Sequence, residues 1–359
     1  MNVRLLHQLP PTENNPRNSE GSFIRGKNGE ILFAYSRYTG NSWNDHASCD
    51  IAIIASLDEG RTWSESRIIA KASDYGTTNI MSVSSLTLSD GRIAFFYLIK
   101  RVIDNSVVIT EIGRSVSEDG ISYKNELCRL NADDAYYVIC NDRFIRLSNG
   151  RIVAPVAYVP HGVDIKKFTD ASITSCIYSD DDGLTFEKAS FDLSSAYGVN
   201  SRFGLQEPGI IERRDGLYLW MRTGYGMQYE SFSANGVDGF GEAHPSSFPS
   251  ALAPMLMREY KGVIYCIYNP FPRYEGFEVK WEKAIWRRNP LVIRKSLDGG
   301  NTFGEFNVIE DEHDRDYSYP ATFMTKDSRL LVAYCRGNKS DGDHLCRIGI
   351  AEIDIETIK

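Results

Sequence analysis

The sequence predicts an all-β chain folded as a six-bladed β-propeller with four antiparallel strands in each blade. Three observations carry that expectation: an eight-residue turn that recurs, a hairpin pattern that recurs six times, and almost no helical 3.6 periodicity. The turn is SLDEGRTW (Ser56 to Trp63), SDDDGLTF (Ser179 to Phe186) and SLDGGNTF (Ser296 to Phe303). Its aspartates, Asp58, Asp181 and Asp298, stand 123 and 117 residues apart. Half of that is about 60 residues, a period typical of repeat architectures. Worn copies lie near the midpoints, VSEDGISY (Val116 to Tyr123) and the poorer SANGVDGF (Ser233 to Phe240), so 359 residues hold six units.

Hairpins give the same count independently. KNGEILFAY, SDGRIAFFY, SNGRIVAPV, RDGLYLWMR, YKGVIYCIY and KDSRLLVAY each run a polar turn into an apolar strand. Their pivots are Gly29, Gly91, Gly150, Gly216, Gly262 and Ser328. Gly and Asn accept the positive φ that tight hairpins need. The recurring Asp turn reads as a structural link between two late strands. Its Asp and hydroxyl groups bond nearby amides, its Gly makes the bend, and Trp63 or Phe186 enters the core. Asp180, Asp181, Asp182 and Gly183 superficially resemble a calcium loop, but the rest of that loop's ligand spacing is missing. One ring-shaped domain over residues 1–359 therefore replaces the two-domain expectation that the length alone suggests.

Composition narrows the function. Hydrophobic residues make up 42% and charged residues 25%, as in ordinary globular chains, and 12% aromatics suit pleated sheets. A formal charge of -8 argues against nucleic acid as a partner, since phosphate binding needs surplus Lys and Arg. No apolar run is long enough to span a membrane. The opening MNVRLLHQLPPTENN lacks the apolar core of a signal peptide, so the expected location is cytoplasmic, with a leader already removed as the alternative. Seven scattered cysteines suggest reduced thiols, most of them buried as small hydrophobes. No Cys-x-x-Cys pair or His cluster suggests zinc, and no metal site is expected. Oligomeric state is not legible.

In a hairpin, the start of the first strand and the end of the second share one edge. Nine residues before the pivots stand Glu20, Asn141, Glu207 and Tyr319, polar residues entering apolar strands. On a propeller such positions ring the central channel at one face. Counting forward, Arg222 shares the mouth with Glu207, and Arg37 with Glu20. An Arg that closes a strand such as LYLWMR is costly to bury unpaired. Either these arginines stitch blade edges or they belong to a site.

The spaced Asp turns, EPGIIERRDGLYLWMR, WRRNPLVIRKSLDGGNTF and YPATFMTKDSRLLVAY together resemble the sialidase (neuraminidase) superfamily over nearly the whole chain. That resemblance implies a six-bladed propeller hydrolysing terminal sialic acids of glycans and glycoconjugates, without a cofactor. It implies three Arg clamping the sugar carboxylate, an Asp acid/base, and a Tyr–Glu nucleophilic couple. Matched residue by residue, Glu207 and Tyr319 form the couple, and Arg222 is the second clamp. Arg288 is the third, with Arg287 as competitor; Arg37 is an additional Arg, and Asp45 the acid/base, with Asp50 nearby. The chemistry is coherent, because a sugar with a carboxylate on its anomeric carbon repels a carboxylate nucleophile. A neutral phenol avoids that repulsion but needs a base to take its proton. Arg presents a planar fork that fits a carboxylate.

The sequence departs from the family where the first clamp Arg belongs, in NPRNSEGSFIRGKNGE, whose aligned residues are Ser19 and Glu20. Arg17 or Arg37 is the candidate substitute. The family's second-blade Asp is replaced by TTNIMSVSS, with Asn79 and Ser82, and the third blade opens on a polar run, Asn141, Asp142 and Arg143, taken with Glu20 as further substrate contacts. Three readings follow: an exo-sialidase or close relative, a glycosidase of the same scaffold for another sugar, and a non-catalytic glycan- or protein-binding propeller. Trp43, Tyr225, Tyr229 and Phe271 are weaker candidates for stacking on a sugar, Gln228 for lying near the pocket, and His46 for bonding within its loop.

Overall fold

The computed structural model describes residues 1–104, 106–167, 171–194, 203–270, 286–338 and 345–359; Phe271 lies outside them. Two short 3-10 turns, Ala72–Tyr75 and Ile355–Thr357, are the only helical elements among the described residues, and none is long and apolar enough to cross a membrane. Strand β1 (Val3–Leu9) opens the chain. A first four-stranded sheet follows in sequence order: β2 (Asn18–Arg25), β3 (Ile31–Tyr38), β4 (Cys49–Ser56) and β5 (Arg67–Ala70). The second group is β6 (Ile80–Thr87), β7 (Ile93–Asp104), β8 (Val107–Ser117) and β9 (Lys124–Asn131). A third comprises β10 (Ala135–Val138), β11 (Ile145–Arg146), β12 (Ile152–Pro160), β14 (Ile173–Ser179) and β15 (Thr185–Lys188), while the short β13 (Val163–Asp164) crosses to β8. A parallel pairing of β15 with β9 joins the second and third groups into one ten-stranded sheet. Two further four-stranded sheets are β16 (Gln206–Arg213), β17 (Gly216–Arg222), β18 (Met227–Ser233) and β19 (His244–Pro249), then β20 (Leu256–Tyr260), β21 (Val263–Tyr268), β22 (Leu291–Ser296) and β23 (Asn307–Glu310). Finally β24 (Arg315–Met324), β25 (Arg329–Asn338) and β26 (Arg347–Asp354) take β1 as their outer strand. The all-β, four-stranded antiparallel unit expected from the repeats is therefore present.

Each group buries both faces, so its strands are nearly continuous apolar runs. Side chains alternate between the two neighbours. Leu32 and Ala34 of β3 pack against Ile93 and Phe95, whereas Phe33 and Tyr35 pack against Leu331 and Ala333. On β17, Leu219 and Met221 face Val153, while Tyr218 and Trp220 face Ile264 and Cys266. The Trp220 ring lies so flat on β16 that a Cβ at Gly209 would sit 2.1 Å from it. All seven cysteines are free and buried, as small hydrophobes.

All six pivots adopt positive φ, from 60° at Ser328 to 143° at Gly216. The Asp turns link the third and fourth strands of their groups. In the first, the Ser56 hydroxyl donates to Asp58 at 2.8 Å, and Asp58 accepts the Thr62 amide at 2.8 Å. The copies at Asp181 and Asp298 repeat these bonds, and Asp119 at the first midpoint accepts the Ile121 and Ser122 amides. Phe186 is fully buried. The acidic cluster superficially like a calcium loop is spent on protein partners: Asp180 pairs with Arg151 at 2.7 Å and Asp182 with Arg146 at 2.6 Å.

Candidate active site

Four first strands carry the same irregularity. Pairing slips by one residue between Ser19 and Ser22, Met81 and Ser84, Gln206 and Gly209, and Ser318 and Ala321. At the head of each bulge a non-glycine residue has positive φ: Glu20 (52°), Ser82 (63°), Glu207 (38°) and Tyr319 (55°). Each such residue costs roughly 1–3 kcal/mol of backbone strain, and a bulge re-aims a side chain out of the regular pleat. The four re-aimed side chains converge on one cavity of about 330 Å³.

Deep in this cavity the Tyr319 hydroxyl donates to Glu207 Oε1 at 3.2 Å, and Arg222 donates to Glu207 Oε2. Burial pushes the Tyr319 phenol well up; Glu207 adds to that, and Arg288 and Arg222 oppose it. The phenol is therefore protonated, with a carboxylate placed to take the proton. Burial works against the Arg222 charge, but Glu207 outweighs it and holds the guanidinium ionised. Arg288 is also buried; it donates to Ser318 Oγ at 3.0 Å and lies over the Tyr319 ring at 5.5 Å. Arg287 points outward, to the carbonyl of His313.

A second cluster stands on the first two groups. Arg17 donates to Asp45 Oδ1 at 2.5 Å and to Ser19 Oγ at 3.1 Å, and its second nitrogen is 3.3 Å from Glu20 Oε1. The Arg17 guanidinium covers the Tyr38 ring at 4.7 Å. Ser82 donates to Glu20 Oε2. Lys100 Nζ donates to the Asp45 carbonyl at 2.5 Å. Burial by surrounding protein pushes the Asp45 carboxyl up, and Arg17 and Lys100 outweigh it, holding it well below the usual carboxylate range. Its side chain nevertheless keeps 62% of its surface open, because it stands at the cavity mouth. Asp50 is committed elsewhere, accepting the Ala72 amide at 2.8 Å.

The cavity thus has a charged half and an apolar half. Leu98, Val138, Ala157, Val159 and Val163 form a wall, closed by Phe203 and Trp286. Glu20, Asp45, Glu207, Arg222, Arg288 and Tyr319, all singled out from the sequence, line it.

Four predicted contacts do not line it. Arg37 pairs with Asn18, one residue beyond Ser36, and Ser36 is the true counterpart of Arg222 across the bulge. That single step turns Arg37 to the Tyr35 face. Arg222 stands six residues past Gly216, its counterpart Ser36 stands seven past Gly29, and Arg37, eight past, lies one step too far. Asn141 lies beneath the floor, donating to the Gly21 carbonyl at 2.8 Å. Arg143 is equally buried and donates to the Met255 carbonyl at 2.8 Å. Asp142 faces a separate cavity, where it meets Arg258 at 3.0 Å and accepts from Ser22 at 2.7 Å. Tyr225 and Tyr229 pair with each other, Gln228 is buried against Ser250, and the Trp43 carbonyl accepts from Arg17. His46 stands beside the Tyr136 ring, 6.1 Å away. Arg17 was legible only as a substitute, while Lys100, Gln206 and the apolar wall carried no sequence signal beyond strand hydrophobicity.

Residues 23–332 match the BNR repeat-like domain. The chain belongs to that family. No curated protein matches it. Among solved structures, a protein of unknown function from Dyadobacter fermentans is similar at 19% identity and a TM-score of 0.71, covering 98% of this chain and 99% of that one. The Hadza microbial sialidase Hz136 is similar at 14% identity and a TM-score of 0.71, over 96% of this chain and 67% of that one. The NanB sialidase of Streptococcus pneumoniae, as a K499G mutant, shares 13% identity at a TM-score of 0.69, over 99% and 71%. At such identities the likeness concerns the fold.

Proposed function

We propose that this BNR repeat-like chain is a glycoside hydrolase, one six-bladed β-propeller domain that removes a terminal acidic sugar of the sialic acid type. The observation that carries the reading is the buried Tyr319–Glu207–Arg222 chain of hydrogen bonds. A phenol held neutral beside a carboxylate suits attack on an anomeric centre that itself bears a carboxylate. Tyr319 Oη attacks the anomeric carbon and its proton passes to Glu207. The glycosidic C–O bond breaks, and the departing oxygen takes a proton from Asp45. Water then attacks the same carbon and gives its proton to Asp45, while Glu207 returns its proton to the Tyr319 oxygen. Displacement of Arg17 from Asp45 by the arriving aglycone raises the proton affinity of Asp45 into the range a donor needs.

Release of methylumbelliferone from its N-acetylneuraminic acid conjugate, with wild type beside Tyr319→Phe, tests the reading. Turnover lost in the variant supports it. A variant as active as wild type sinks it. A second reading, the same chemistry on a non-acidic sugar, is favoured by Glu20 standing where a clamp Arg belongs, and methylumbelliferyl glycosides of neutral sugars form the second arm of the assay.

A further inference from the structure

Three carboxyl groups and three guanidinium groups surround the nucleophile, and they are not evenly matched. Glu207 has Arg222, and Asp45 has the near nitrogen of Arg17 at 2.5 Å. Glu20 is left with the far nitrogen of the same Arg17 at 3.3 Å and two hydroxyls, Ser82 and, at 3.5 Å, Ser19. Arg288, by contrast, has only Ser318 Oγ and the Tyr319 ring, and no carboxylate at ion-pair distance among the described residues. Beyond burial, Glu207 and, less strongly, Glu20 push the Tyr319 phenol up while Arg288 and Arg222 oppose them, so an anion bound against its ring meets one unspent cation and one poorly compensated carboxyl.

We propose, on the acidic-sugar reading above, that Glu20 takes up a proton when the sugar binds and donates it, as the carboxylic acid, in a hydrogen bond to the sugar's carboxylate beside Arg288. The site then recognises a carboxylate with one fixed cation and one proton carried on demand. Backbone geometry fits this role: Glu20 shares the strained bulge position of Glu207 and Tyr319, so its side chain is aimed into the cavity rather than at a neighbouring sheet. Burial raises the proton affinity of Glu20, Arg17 and Ser82 oppose it, and Asp45 and Glu207 add to it. The remaining titratable neighbours, the phenols of Tyr38 and Tyr319 and the thiols of Cys49, Cys140 and Cys335, are all pushed up by burial and stay neutral. An incoming carboxylate acts on Glu20 in the same sense as Asp45 and Glu207.

The test is calorimetric binding of the didehydro analogue of N-acetylneuraminic acid to the full chain. It is run from about pH 5 to about pH 8, in two buffers of different ionisation enthalpy. Wild type should take up close to one proton per ligand, with affinity falling about tenfold per pH unit above the Glu20 midpoint. Glu20→Gln, whose amide donates at every pH, should bind without that slope and outbind wild type at the alkaline end. Absence of proton uptake by wild type, an unchanged slope in Glu20→Gln, or no binding at any pH would each overturn the proposal. Tyr319-dependent cleavage of neutral glycosides without binding of the acidic analogue would discard this inference and keep the hydrolase.

Discussion

Glu207 links the phenol to the guanidinium, so a double-mutant cycle of Glu207→Gln and Tyr319→Phe probes the core of the reading. Arg222 and Glu207 expose only 9% and 13% of their side chains. Breaking a buried pair from one side costs about 3–5 kcal/mol, and the amide oxygen of Gln still accepts one bond, so about 2–3 kcal/mol is expected. Tyr319→Phe deletes one hydrogen bond of 3.2 Å and costs about 1 kcal/mol, since Glu207 keeps Arg222. In melting temperature these are roughly 3–4 °C and about 1 °C. Activity behaves differently. Each single change should cut kcat about a thousandfold, the size of a lost general base or nucleophile. The double variant should be no more than about tenfold worse than either, because residues acting as a unit are not additive. Scanning calorimetry and methylumbelliferone release measure both halves. Losses that multiply to about a millionfold, or a Tyr319→Phe enzyme within tenfold of wild type, would refute the coupling.

Three further outcomes follow from the scaffold. Gly209→Ala places a Cβ 2.1 Å from Trp220, whose ring nitrogen is held by the Met255 carbonyl at 2.8 Å; urea unfolding should show a loss of about 3 kcal/mol. Ser328→Gly relieves a positive φ of 60° at an exposed pivot where the other five units already have glycine, and should gain about 0.5–1 kcal/mol in the same assay. Burial pushes the Asp58 carboxyl up, but bonds from Thr62, Ser56 and the Arg61 amide outweigh it and leave it lowered to about 2. A depressed carboxyl stabilises the fold above its unfolded value of about 3.9, and that stability is lost as pH falls toward its folded value. The acid limb of a stability profile should therefore flatten in Asp58→Asn between about pH 4 and about pH 2.

Repetition made most of the fold legible. The glycine pivots and Asp turns are local chemistry, and they fall at the predicted links. The same repetition brought Glu20, Glu207 and Tyr319 to one cavity, because equivalent positions in equivalent hairpins share one edge. It failed where a unit departs from the average. Arg37 was lost because it lies one step beyond Ser36, the counterpart of Arg222, and a strand reverses its side chains at every step. Asn141 and Arg143 belong to a group whose first strand is interrupted between β10 and β11, so they drop below the floor as hydrogen-bonding supports. The bulge itself left no trace in the sequence: Glu20–Gly21, Ser82–Val83, Glu207–Pro208 and Tyr319–Pro320 share no residue type that announces it. Arg17 pairs with Asp45 across a loop, a contact that no counting rule reaches.

The pairing of β1 with β26 sets a schedule on biosynthesis. Val3 finds its partner in Ile353, 350 residues later. At about 5–20 residues per second, the opening strand waits roughly 20 to 70 s on the ribosome for the strand it must join. Until then β2 and β3 present the Phe33 and Tyr35 face with Leu331, Ala333 and Ile350 still unmade. The most exposed moment of this molecule is thus its own translation, and the sheet that carries Tyr319 is the last to be sealed. A circular permutant that joins the two ends and reopens the chain at the exposed Gly91 turn would give β1 and β26 a short hairpin instead. Faster acquisition of protease resistance during synthesis would be the sign that the long wait, rather than the chemistry of the site, limits its yield.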